Sequence, residues 1–193
     1  MTYAKEKPEL KLVISLGANI AGKLGDPIRT IAAIRPQIEK SIIDWNNAFN
    51  SQKIQDQNID KSLSFKWAPL FETDPLGGPT NQPNFINTLL VVEGKVFNTI
   101  KPNKKAAINL MNKFLDLEKI AGRKRKNTEI FGGPRSLDID FICWGGLQVN
   151  TETLILPHPR LSERNFVLVP LSEVLSESQG KPRRIKSQNI WPE

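Results

Sequence analysis

The chain contains a single cysteine, Cys143, among its 193 residues. One cysteine cannot close an internal disulfide, which argues against a stapled secreted scaffold and for a reducing setting. No run of about eighteen apolar residues occurs, so no membrane-spanning helix is expected. The opening MTYAKEKPEL lacks the apolar stretch of a secretory signal. The expectation is a cytoplasmic protein without a membrane partner. Neither G-x-x-x-x-G-K-[ST] nor G-x-G-x-x-G occurs, which argues against a conventional P-loop or kinase-type nucleotide site. There is no internal repeat.

What is present suits one folded domain. A hydrophobic fraction of 39% and a charged fraction of 24% are compatible with a packed globular core. The net charge of +7, from 27 basic and 20 acidic side chains, should attract anions: nucleotide, phosphate or nucleic acid. The excess gathers in two runs. Arg123, Lys124, Arg125 and Lys126 form one. Lys181, Arg183, Arg184 and Lys186 form the other, in a polar stretch that reads as a flexible basic tail with solvated charges. The expected organisation is a domain over 1–175 and a tail over 176–193.

Residues 10–16, LKLVISL, read as a buried strand broken by Gly17-Ala18-Asn19. Asp26-Pro27 looks like an N-cap followed by proline at the first helical position, and a helix is expected over about 26–40, with Pro36 able to kink it. The polar stretch 46–62 reads as a surface insertion. A second strand is expected over 63–72, with Pro69 marking an edge or a bulge. The proline- and glycine-rich stretch 73–84 must be a loop, and FINTLLVVEG, 85–94, a strand. Ala107, Leu110, Met111, Phe114, Leu117 and Ile120 make 104–121 an amphipathic helix that Gly122 ends. A basic loop over 122–134 leads into the strand LDIDFICW. A short extended piece is expected at 153–156, and a helix or turn-rich segment from Phe166 to Val174. This order of elements matches an α+β, ferredoxin-like fold: a mostly antiparallel sheet with two helices packed on one face.

The last long strand carries the chemistry. Residues i and i+2 of a strand share a face, so Asp138 and Asp140 stand together while Leu137, Ile139 and Phe141 face the other way. Two carboxylates ~6 Å apart repel by about 2–3 kcal/mol at an effective dielectric of ~20. Arg135 could offset that on a solvated face, and for a lone D-x-D that reading comes first. A magnesium ion could offset it too, since it takes carboxylate oxygens together with nucleotide phosphates. The basic loop beside the pair favours the second reading, because arginines fork onto phosphate oxygens. His158, between two prolines and near Arg160 and Arg164, is a further candidate. Cys143 reads as a packing residue.

The octapeptide GPRSLDID, 133–140, resembles the signature of the 6-hydroxymethyl-7,8-dihydropterin pyrophosphokinase family of the folate pathway. ISLGANI (14–20), FETDPLGGPTNQPNFIN (71–87), LEKIAGRKR (117–125) and LPHPRLSERNFVLVPLSEV (156–174) resemble four further blocks of it, in order. The resemblance implies a ferredoxin-like fold and transfer of pyrophosphate from ATP to the hydroxymethyl group of the pterin, leaving AMP. It implies that Asp138 and Asp140 hold two magnesium ions, with ATP as co-substrate. Arg123 and Arg125 match arginines that clamp the nucleotide and assist transfer. Glu118, Arg135, His158 and Arg164 match the ATP site. Thr73, Leu76, Phe85, Asn87 and Phe166 match the pterin pocket. A monomer is expected by the same resemblance. Loops 73–84 and 122–134 are candidate lids that exclude water.

The sequence departs from the family at four places. The family usually has an aromatic directly before Gly-Pro-Arg; here Ile130-Phe131-Gly132-Gly133 is one residue longer, and Phe131 would supply the stacking on the pterin. Ile130 replaces a basic residue, Asp74 stands where proline is common, and Pro159 where an aromatic can occur. Two competing functions follow. An RNA-binding module on the same fold would present aromatics on its central strands, where this chain has Asp138 and Asp140. An inactive relative that still binds nucleotide or pterin would not need the acidic pair and both loop arginines.

Overall fold

The computed structural model describes residues 10–50, 62–76, 78–99, 102–125 and 132–159, and the backbone of 183–184. Strand β1, Leu12–Ala18, is buried along its whole length. Helix α1 spans Pro27–Asn50. Strands β2 (Ser64–Trp67), β3 (Phe71–Thr73) and β4 (Phe85–Glu93) follow, then the single turn α2, Val96–Thr99, and helix α3, Lys104–Ile120. Strand β5 is Asp138–Trp144, β6 and β7 (Val149–Asn150 and Ile155–Leu156) form a small ribbon, and β8 is Arg183–Arg184. The main sheet runs β5-β1-β4-β3-β8, with β2 also on β4, and every pairing is antiparallel. The α+β reading therefore holds. No helix among the described residues is long and apolar enough to cross a membrane.

Three expectations change in detail. Helix α1 does not stop near residue 40 but runs to Asn50, so the first residues of the expected 46–62 insertion are helical. Pro36 lies on the exposed face, where the carbonyl it leaves unpaired can meet water. Ile38, Ile42 and Trp45 continue the apolar stripe, and the Trp45 indole donates to Ala106 O at 3.0 Å, tying the late turns to α3. The rest of the insertion, 51–61, lies outside the described residues. The strand expected over 63–72 is interrupted at 68–70. Trp67 pairs with Leu90 and Phe71 with Asn87, so four steps on one strand face three on the other: a bulge at Pro69, which has no N–H for the ladder. Finally, two residues of the expected tail, Arg183 and Arg184, pair with Glu72 and Phe71 on the sheet edge.

Helix α3 starts and stops where its sequence says. Asn103 caps it by accepting from Ala106 N at 3.0 Å, and Gly122, at φ 97°, turns the chain out of it. Helices α1 and α3 cover one face of the sheet, burying Leu12, Ile14, Leu16, Leu90, Val92, Ile139 and Phe141 with Ile31, Ile34 and Phe114. On the other face Val13, Leu89 and Ile142 are buried with Cys143 beside them. Burial pushes the Cys143 thiol up, as befits a packing residue.

At the far end of β4, Glu93 is gripped by Lys11 at 2.7 Å and by Lys66. The hydrogen bonds from Lys11 and Lys66 hold its carboxyl below the usual range against the opposing effect of burial. A folded-state pKa below the unfolded one gives stability that is present at neutral pH and is lost as pH falls through the folded value. Glu93→Gln should therefore cost about 1 kcal/mol at pH 7, and in urea unfolding the gap to wild type should narrow as the pH is lowered through the acid range. A gap of equal size throughout would contradict the assignment.

Candidate active site

The site lies on the sheet face away from α1 and α3. Ile139 and Phe141 of β5 point into the core beneath the helices, so the alternation of the strand turns Asp138 and Asp140 to the opposite side. Register then builds a row across three strands: Asp138 faces Gly17 of β1, and Gly17 faces Asn87 of β4. A Cβ on Gly17 would lie 2.7 Å from Asn87 Oδ1. Glycine thus leaves a trough about 10 Å wide, two strand spacings, with a carboxylate on one bank and an amide on the other.

The amide bank is rigid. Asn87 is buried, and its Nδ2 donates to Thr73 Oγ1 at 2.7 Å. With Nδ2 on Thr73, its Oδ1 lies over Gly17. Phe85 lies two residues away on β4, with the Arg135 guanidinium 5.6 Å from its ring centroid. Leu76 sits exposed on the loop that follows β3.

The acidic bank is an ion cluster. Glu118, on the last turns of α3, is 1% exposed. Its Oε1 accepts from Ile139 N at 2.9 Å and from Arg123 Nη1 at 3.0 Å, and its Oε2 accepts from Arg125 at 2.7 Å. Since β5 is an edge strand, Glu118 also supplies the partner its outer N–H needs. Arg123, only 8% exposed along its side chain, turns inward and also donates to Leu137 O and to Asp138 Oδ1. Arg135 donates to Asp138 Oδ2. Burial pushes the Glu118 carboxyl up, and the Asp138 charge adds to this, while Arg123, the Ile139 N–H and Arg125 pull it down. Asp140 meets His158 instead, with Nε2 3.9 Å from Oδ1. His158 is held there by its own N–H, which donates to Ile142 O at 2.8 Å. Arg125 is half exposed and faces outward from the cluster.

The structure brings Glu118, Arg123, Arg125, Arg135 and Asp138 into one contiguous network, joins His158 to Asp140, and sets Thr73 and Asn87 across the trough. Phe131, Arg164 and Phe166 lie outside the described residues. Among the described residues no three acidic, histidine or cysteine side chains converge as a metal cage. The groups able to hold a metal are Asp138 and Asp140. Two carboxylates suit magnesium, which completes its shell with water and phosphate oxygens. Three residues on the trough were passed over as site residues: Gly17, Asn19 and Gln82.

Comparison with known proteins agrees with this geometry. The sequence pattern of the 7,8-dihydro-6-hydroxymethylpterin-pyrophosphokinase (HPPK) family matches residues 13–176. A Bacillus subtilis (strain 168) relative, named 2-amino-4-hydroxy-6-hydroxymethyldihydropteridine pyrophosphokinase, is 36% identical over 112 residues, which are 58% of this chain and 59% of that one. A Methylorubrum extorquens protein of the same name is 36% identical over 100 residues, 52% of this chain and 56% of its own. An Arabidopsis thaliana folate synthesis bifunctional protein is 35% identical over 106 residues, 55% of this chain and 19% of its own length. The matched stretch thus spans less than two thirds of each of these relatives. With most of its length matched by the family pattern, this chain belongs to the HPPK family.

Proposed function

We propose that the protein transfers the β,γ-pyrophosphoryl group of ATP to the hydroxymethyl oxygen of 6-hydroxymethyl-7,8-dihydropterin, giving AMP and the pterin diphosphate in folate biosynthesis. The observation that carries this reading is the trough itself. A rigid amide pair suited to a heterocycle edge faces an acidic pair flanked by arginines across about 10 Å. Asn87, oriented by Thr73, hydrogen-bonds the pterin edge. Phe85, Leu76, Phe131 and Phe166 supply apolar and stacking contact. Arg123, Arg125, Arg135, His158 and Arg164 take the phosphates, with Glu118 positioning the first two arginines. The hydroxyl oxygen attacks the β-phosphorus, the bond from that phosphorus to the bridging α,β-oxygen breaks, and AMP departs. Such a transfer needs positioning and charge stabilisation more than covalent help from the protein.

The charge balance points to magnesium. Arg123 already faces Glu118 and Asp138, Arg125 faces Glu118, Arg135 faces Asp138, and His158 faces Asp140. A triphosphate entering such a site needs added positive charge. Asp138 and Asp140 would hold two magnesium ions, which supply charge neutralisation and a lowered hydroxyl pKa. The same acidic face disfavours a nucleic-acid backbone as partner. We further propose a cytoplasmic monomer, with the pyrophosphokinase domain over 1–175.

The test is incubation with ATP, magnesium and the pterin, with adenine nucleotides resolved by chromatography. AMP should form only when the pterin is present. ADP in place of AMP would overturn the mechanism. Bound nucleotide without any turnover would favour an inactive relative.

A further inference from the structure

Asn19 is buried at the end of β1, and its bonds go to the chain segments that lead into both banks of the trough. Its Oδ1 accepts from Arg135 N at 2.8 Å, while its own N–H donates to Arg135 O at 3.0 Å. Those two bonds clamp both backbone polar groups of Arg135, whose guanidinium reaches Asp138 and the Phe85 ring. Both remaining donors of the Asn19 amide go elsewhere: Nδ2 bonds Gln82 Oε1 at 3.0 Å and Pro83 O at 3.0 Å. Gln82 then passes its Nε2 to Gly132 O at 2.8 Å. The bonds form a closed circuit. It ties the loop after β3, which leads into Phe85 and Asn87, to residues 132–135, which lead into the acidic pair.

Every polar group of the Asn19 side chain is committed, so its orientation is fixed. The circuit has few ways to relax. If the loop after β3 shifts, Gln82 loses Gly132 or Asn19, and the Arg135 peptide loses the neighbour that holds it. A fully satisfied buried network of this kind favours one arrangement of both loops together.

We propose that Asn19 and Gln82 are positioning residues that couple the pterin side of the trough to its nucleotide side. This rests on the function proposed above. Ordering either loop by a ligand orders the other through the circuit, so each ligand should raise affinity for its partner by the same factor.

The experiment measures the pterin Kd by titration calorimetry with and without a saturating non-hydrolysable ATP analogue and magnesium. It is run on wild type, Gln82→Ala and Asn19→Asp, with urea midpoints to check folding. Wild type should show coupling of about fivefold or more. Gln82→Ala, a half-buried loop change, should fold normally, keep its affinity for the analogue alone, and bring the coupling factor close to one. Asn19→Asp keeps the acceptor for Arg135 N but turns a carboxylate on Gln82 Oε1 and Pro83 O, so it should lose the coupling as well. Undiminished coupling in Gln82→Ala would overturn the proposal. So would a wild type that binds both ligands independently, although the proposed function would then stand. A wild type that binds neither ligand would remove both.

Discussion

Asp140→Ala should lower pterin-dependent AMP formation at least about a hundredfold while leaving the fold as stable as wild type to within ~1 kcal/mol. Asp140 is about a quarter exposed, and the contact it makes with His158 spans 3.9 Å. That separation is longer than either arginine contact on Asp138, so its loss should cost the fold less. Asp138→Ala should fail in the same assay but should also destabilise the protein, by about 3 kcal/mol. Its carboxylate is joined by Arg123, which is nearly buried, and by Arg135. Removing it leaves those guanidinium groups facing each other across the space it occupied. The contrast separates chemistry from architecture: the two variants share a loss of turnover and differ in urea midpoint. A third readout bears on the metal alone. ATP binding by wild type should tighten with added magnesium, and in both variants that dependence should flatten, because one of the two carboxylates is gone. Ordinary AMP formation by Asp140→Ala would remove the pair from the proposed metal site.

The acidic pair was legible because period two in a strand needs no knowledge of the fold. Ile139 and Phe141 could be sent to the core, and the aspartates to the other face, from the strand LDIDFICW alone. The same held for α3, whose apolar stripe and terminal glycine are local, while its Asn103 cap went unread. What neutralises Asp138 was only half legible. Arg135 stands three residues before it, within reach of any reading. Arg123, held by Glu118, reaches it through tertiary packing of the α3 end against β5. The trough was not legible, because it depends on register: Gly17 opposite Asp138 on one side and Asn87 on the other. Asn19 and Gln82 were missed for the same reason, since their partners lie 63 and 116 residues away from Asn19 in sequence. The length of α1 was misjudged because its last turns read as polar, and Trp45 is buried by distant partners, Ala106 of α3 and Trp144 of β5.

Glu118→Gln should cost about 3 kcal/mol of stability, the scale on which breaking a buried ion pair acts. The substitution is nearly isosteric, and a glutamine oxygen can still accept from Ile139 N. The bond to the edge of β5 can therefore survive, and the charge alone is removed. Arg123 would then be a nearly buried cation with Asp138 as its remaining carboxylate partner on that side, and Arg125 would lose the group that holds it at 2.7 Å. Glu118→Ala should cost more, because the Ile139 N–H is then buried without an acceptor, which adds about 1–3 kcal/mol. Pairing Glu118→Gln with Arg123→Met should recover much of the stability, since a buried pair removed together leaves no stranded charge. It should not recover AMP formation, because Arg123 is assigned to the nucleotide. Urea unfolding of wild type, both single variants and the double variant measures the first effect, and the AMP assay the second. If the double variant unfolds no later than Glu118→Gln alone, the stranded-charge account of this cluster is wrong. If it regains turnover along with stability, then Arg123 serves the fold and the phosphate contacts belong to Arg125 and Arg135.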